Sequence, residues 1–147
     1  MTTCSQCGSP QRHRSDSDHG MFWAIIDRAY QSWPEDHEFK PTSKYHLYGW
    51  LLIEAGHCDS VEVETKDYGV AKIFAKAFFT LTQREIHCMR VFETEKGMRI
   101  TVPQSLSYAE AGKKKYEGVR TNVYEIIEAI LGVTVEELKR EAQREAA

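Results

Sequence analysis

Two cysteines, Cys4 and Cys7, stand with two residues between them, and Gly8 follows the second. A pair of thiolates at that spacing can chelate one tetrahedral zinc, and a glycine there lets the backbone wrap the metal. His13 and His19 are the next imidazoles downstream and are the candidates to complete the four ligands. The stretch from Cys7 to His13 is shorter than in a classical finger, and the His13–His19 spacing is at the wide end of the usual range. Free thiols on an irregular arm fit the same residues. His57 beside Cys58, and His87 beside Cys88, are other places where an imidazole adjoins a thiol. Cys88 lies in a predicted strand and reads as a small buried hydrophobe.

A nucleophilic cysteine needs a base within hydrogen-bond reach, and six scattered histidines do not define one by spacing. The sequence holds no Gly-rich phosphate loop, no His-Glu-x-x-His and no Gly-x-Ser-x-Gly. The carboxylates are scattered as on solvated helix faces. A metal-assisted nuclease would need carboxylates and histidines from distant parts of the chain to meet. The expectation is a protein that is not an enzyme.

The second constellation is basic. Lys113-Lys114-Lys115 opens a predicted helix, with Arg120 beyond it. Cations there oppose the helix dipole by a few tenths of a kcal/mol each (roughly 0.3 or more). A chain that keeps them has a use for an anion. Lys72, Lys76 and Arg84 extend the candidate nucleic-acid-binding set, and Arg90 and Arg99 add to it from a hairpin. Tyr68, Tyr108 and Tyr116 lie among these cations, and exposed aromatics can stack on bases. A solvated basic face over core tyrosines fits the same pattern.

Charge is segregated along the chain, which carries −3 overall. Residues 1–65 hold 5 Lys/Arg against 10 Asp/Glu, residues 66–120 hold 11 against 6, and residues 121–147 hold 3 against 6. The basic middle is the part suited to phosphates. The first twenty residues are polar, and no apolar run approaches the ~20 residues needed to span a bilayer. A reducing cytoplasm is therefore the expected location, with thiols rather than disulfides.

The elements that must position these groups follow from periodicity. Residues 1–18 read as an irregular arm, ended by an N-cap at Ser17 or Asp18. Phe22, Ile25, Ile26, Ala29, Tyr30 and Trp33 then form a helical face, closed by Pro34. Thr42 or Ser43 caps a second helix with Leu47, Trp50, Leu51 and Ala55 inside and Gly56 at its end. Val61–Glu64 alternates as a strand. A helix over 70–81 sets Val70, Ile73, Phe74, Ala77, Phe78 and Leu81 inward and Lys72 and Lys76 outward. A hairpin at about 86–102 turns at Glu95-Lys96-Gly97, where Gly97 supplies a positive φ. A long helix over 113–131 buries Tyr116, Val119, Val123, Ile126, Ile127 and Ile130 and stops at Gly132. Thr134 and Glu137 have capping-box spacing for a last helix from 135 to 145. The order lacks regular β–α alternation, so the predicted class is α+β: helices on a small antiparallel sheet, with long C-terminal helices. With no linker visible, residues 19–147 read as a single domain behind the arm.

At Arg14-Ser15-Asp16-Ser17-Asp18-His19-Gly20-Met21-Phe22-Trp23-Ala24 the chain resembles the Orf (NinB) family of lambda-like phages and a related phage group of unknown function. In these an Arg-Ser pair, a few polar residues and Gln-x-Arg lead into an aromatic, alanine-bearing helix. Arg14, Ser15, Trp23 and Ala24 match. Asp18 stands in place of the Gln, and Gly20 in place of the basic residue. Trp33-Pro34-Glu35 and Pro103-Gln104-Ser105-Leu106-Ser107-Tyr108 look like the unknown-function group. The resemblance implies a phage or prophage origin, a homodimer, and binding of single-stranded DNA as a recombination mediator. The acidic first third, its aromatic residues (Trp33, Phe39, Tyr45, Tyr48, Trp50) and the lost basic residue at Gly20 motivate an alternative: a non-enzymatic inhibitor or adaptor that binds a host defence complex.

Overall fold

The computed structural model describes residues 10–81, 87–104, 106 and 112–146, with the backbone alone for 10–19 and 146. Among these the chain forms five helices: α1 (Pro10–Gln31), α2 (Lys44–Glu54), α3 (Tyr68–Leu81), α4 (Lys113–Leu131) and α5 (Val135–Ala146). Three strands, β1 (Cys58–Val63), β2 (Arg90–Glu93) and β3 (Met98–Pro103), make one antiparallel sheet in the order β1-β3-β2. The class is α+β. The chain divides into two compact units. One combines α1 with α4 and α5. The other, 41–105, holds α2, α3 and the sheet and interrupts the first in sequence.

In the helical unit α1 starts at Pro10, not behind an N-cap at Ser17 or Asp18. Over residues 10–18 the expected irregular arm is helix instead. Proline suits the first helical position, where its missing N–H would have had no intrahelical partner. The buried face of α1 is Phe22, Ile25, Ile26 and Ala29, and that of α4 is Tyr116, Val119, Val123 and Ile127. Phe22 meets Tyr116 edge-on, with ring centroids 6.3 Å apart, and lies 5.8 Å from Tyr124. Gly132 ends α4 at φ +73 and returns its N–H to the Glu128 carbonyl. At the start of α5 the Glu137 N–H donates to Thr134 Oγ1 (3.2 Å), and the Val135 N–H donates to the Glu128 carboxylate (2.9 Å). Arg28 of α1 reaches α5, one guanidinium nitrogen to Glu141 and the other to Glu145, both at 2.7 Å.

In the sheet unit Ser43 caps α2 by accepting the His46 N–H. Its buried side holds Leu47, Gly49, Leu51, Leu52 and Ile53, while Trp50 is only half-buried. Gly56 (φ +83) and His57 return their N–H groups to the Ile53 and Leu52 carbonyls, a Schellman ending. β1 pairs with β3 from Cys58 opposite Pro103 to Val63 opposite Met98. The hairpin strand β2 begins at Arg90, and residue 86 lies outside the described residues. Gly97 does not have a positive φ. It is glycine because a Cβ there would lie 2.0 Å from the Val63 carbonyl oxygen.

α3 is present but rotated from the predicted setting. Its buried residues are Ala71, Ala75 and Phe79, which join Met98, Ile100 and Val102 of β3 in one core. Val70, Ile73, Phe74, Phe78 and Leu81, expected inside, are exposed. Two alanines four apart bring the helix close to the sheet, and the bulkier row is left outside. Asp67 starts the helix by accepting the Val70 N–H at 3.0 Å. Alternation along β2 and β3 puts Arg90, Phe92, Arg99 and Thr101 on the opposite face of the sheet. There Arg90 reaches Glu54 of α2 and stacks over Trp50.

Two glycine substitutions separate close approach from propensity. Gly97→Ala should cost roughly 2 kcal/mol or more in urea unfolding, since backbone must move. Gly118→Ala, inside α4 with nothing within 4 Å of an added Cβ, should stabilise by about 0.5–1 kcal/mol. A tolerated Gly97→Ala would contradict the turn geometry.

Candidate nucleic-acid interface

Each group of candidate cations is positioned by one helix. On α3, Tyr68, Lys72 and Lys76 are four residues apart and form a row along one side. Tyr68 is 55% exposed, and the Lys72 ammonium lies 5.3 Å from its ring centroid. On α4, Lys113, Lys114 and Lys115 are exposed in the first turn. The N-cap residue Gly112 (φ +82) offers no side-chain hydrogen bond there. The ammonium groups thus sit beside backbone N–H groups with no intrahelical acceptor, two reasons for an anion to settle at the same place. Arg120, one turn beyond Tyr116, places its guanidinium carbon 5.6 Å from that ring's centroid.

Several other cations are occupied within the fold, while Lys44, Lys96, Arg140 and Arg144 share with the candidate groups the absence of a carboxylate within 4.0 Å among the described residues. Arg28, Arg90, Arg99 and Lys139 are ion-paired: Arg28 with Glu141 and Glu145, Arg90 with Glu54, Arg99 with Glu62 at 3.2 Å and Lys139 with Glu136 at 3.5 Å. Lys66 donates to the Thr94 and Glu95 carbonyls of the hairpin turn, and Lys40 to the Glu35 and His37 carbonyls. Among the described residues, no carboxylate lies within 4.0 Å of Lys72, Lys76, Lys113, Lys114, Lys115 or Arg120. An ammonium group without a carboxylate partner exchanges only water and salt when it meets a phosphate, so its charge is available.

Some expectations change. Arg90 and Arg99 do not extend the basic patch, because each is tied to a glutamate on the sheet's second face. Tyr116 is not a stacking surface, since its exposure is 0% and it belongs to the helical core. The lysines fall into two groups, Lys72 with Lys76 on one unit and Lys113–Lys115 with Arg120 on the other. Arg84 and Tyr108 lie outside the described residues. Sequence reasoning named Tyr45 only among the aromatics of the first third and missed its pairing with Lys44 at the start of α2. The Lys44 ammonium lies 5.6 Å from the Tyr45 ring centroid, and that exposed ring lies 5.6 Å from the His87 ring. Adjacent Lys and Tyr directly after the cap Ser43 were the available signal.

The metal candidates Cys4 and Cys7 also lie outside the described residues. His13 and His19 fall on α1, six residues apart, which is roughly 9 Å along a helix axis. Among the described residues no three His, Cys, Asp or Glu side chains are grouped so as to hold a metal ion. Cys88 is buried, as expected of a small hydrophobe, and burial pushes its thiol pKa up, against a smaller opposing pull from Arg90. Burial, then the charge of Asp59, raises the Cys58 thiol. Both cysteines are thereby held in the less nucleophilic form.

No family model, curated protein or solved structure matches this chain. Among the described residues no helix is long and apolar enough to cross a membrane.

The thiol settings are open to alkylation. In the native protein at neutral pH, iodoacetamide should label Cys88 only through unfolding, at a rate that follows denaturant concentration. Fast native labelling of Cys88 would show an activated thiol and reopen cysteine chemistry.

Proposed function

We propose that this protein is a non-enzymatic nucleic-acid-associated protein that binds single-stranded DNA. Phosphates would be held by Lys72 and Lys76 on α3, and by Lys113, Lys114 and Lys115 with Arg120 on α4. Tyr68 would offer its exposed ring to a base. The observation that carries this reading is the contrast in charge pairing. Arg90 and Arg99 of the sheet each meet a glutamate, while among the described residues no carboxylate lies within 4.0 Å of these lysines. An aromatic in line with two ammonium groups is the combination that sequence-tolerant single-strand binding uses. The segregated charge and the resemblance to phage recombination proteins support the same assignment, with a phage origin and host cytoplasm as its setting. The alternative, a non-enzymatic inhibitor or adaptor that binds a host defence complex, draws its support from a different feature: the acidic first third with its aromatic residues.

Fluorescence anisotropy with a labelled oligonucleotide across a salt series tests the proposal. Affinity should fall linearly with log salt at a slope of about −0.7 per phosphate contacted. Replacing Lys72 and Lys76 together by alanine should flatten that slope by about 1.4. Tyr68→Ala should cost about 1–3 kcal/mol at any one salt concentration. Binding indifferent to salt, or none near physiological salt, would overturn the assignment.

A further inference from the structure

We infer that the exposed apolar side of α3 pairs with the same helix of a second copy of this chain, in an antiparallel two-fold contact. Val70, Ile73, Phe74, Ala77, Phe78 and Leu81 recur at i, i+3, i+4, i+7, i+8 and i+11, the spacing of a helix seam. At 3.6 residues per turn they occupy an arc of roughly 140°. All six are exposed, Ile73 at 72% and Leu81 at 84%. A helix apolar on more than one side normally covers each of them. In α3, Ala71, Ala75 and Phe79 already serve the sheet core, so this second row is surplus to folding the unit that carries it.

Area and symmetry favour a copy of the same chain as the occupant. The five large side chains expose on the order of 600 Å² of mostly apolar surface, at the upper end for a monomer's largest patch. Two such patches face to face bury about 1,200 Å², where specific interfaces begin. The arc holds no charged side chain, so it carries no electrostatic code for a different partner, and a copy meets no like charge. Lys72 and Lys76 lie beyond the buried strip, on the side of the helix away from the seam.

The residue sizes suit a dyad between positions 75 and 76. Val70 then meets the other copy's Leu81, Ile73 meets Phe78, and Phe74 meets Ala77. The bulky ring lies over the smallest residue of the row, and each contact occurs twice. Antiparallel helices also place opposite dipole ends together. The pairing leaves the Tyr68–Lys72–Lys76 row of both copies outward, and it stands independently of the nucleic-acid assignment.

Sedimentation velocity of the full chain over a concentration series tests the inference. The expected result is a reversible dimer, populated by roughly 100 μM. Leu81→Glu alone, at the exposed end of the helix, should raise the dimer Kd by about tenfold or more. Ile73→Glu with Leu81→Glu should give a monomer with an unchanged far-UV circular dichroism spectrum. Phe92→Glu removes an exposed aromatic (50%) from the opposite face of the sheet and should leave the dimer intact. A wild-type chain that stays monomeric at about 100 μM would overturn the pairing, whatever else later binds α3. A dimer that survives Leu81→Glu, or that Phe92→Glu abolishes, would overturn it as well.

Discussion

The short side chains of Ala71 and Ala75 set the rotation of α3 on the sheet, and the surface of its unit follows from that rotation. Methyl groups four residues apart let the helix close on Met98, Ile100 and Val102, and Phe79 fills the remaining space at the far end. A row of Ile, Phe and Leu in the same place would hold the helix further off. Once the alanine side is inward, the geometry of a helix decides the rest. Tyr68, Lys72 and Lys76 emerge on one flank, and Val70, Ile73, Phe74, Phe78 and Leu81 on the other. A cationic row and an apolar row thus share one fourteen-residue element.

Opposite sides of the sheet treat charge differently. On the side away from α3, Arg90 and Arg99 meet Glu54 and Glu62, and Ser60 and Thr101 hydroxyls bond at 2.8 Å. Those arginines serve the packing of α2 and the strand register. In the helical unit Arg28 joins α1 to α5 through two carboxylates. Among the described residues, Lys72 and Lys76 on one unit and Lys113–Lys115 on the other are part of the cationic charge that meets no carboxylate within 4.0 Å. That remainder, rather than the net charge, motivates the nucleic-acid assignment.

Much of the local structure was legible. The α4 boundaries agree at both ends because Gly132 ends the helix and the apolar period between is unbroken. Ser43 and Gly56 bound α2 for similar local reasons. Other features were not legible, each for a physical reason. An irregular arm over residues 1–18 is the expectation from pattern alone, whereas Pro10 opens a helix there, since at a first helical position proline costs nothing. Gly97 was read as a positive-φ residue, whereas its constraint is a carbonyl from a strand distant in sequence. The α3 rotation was beyond periodicity, because two apolar faces satisfy the same spacing and only the shape of the sheet chooses between them. The division into two units was hidden for a related reason. One is inserted within the other, so neither boundary needs a linker of distinctive composition. Of the candidate site, residue types were visible, but which cations carry a carboxylate was not, since Arg99 and Glu62 are 37 residues apart.

The central claim is the orientation of α3, and methyl-resolved nuclear Overhauser spectra address it most directly. Cross-peaks are expected from the Ala71 and Ala75 methyls to side chains of Met98, Ile100 and Val102. Cross-peaks to those residues from Ile73 and Leu81, with the two alanine methyls silent, would contradict it.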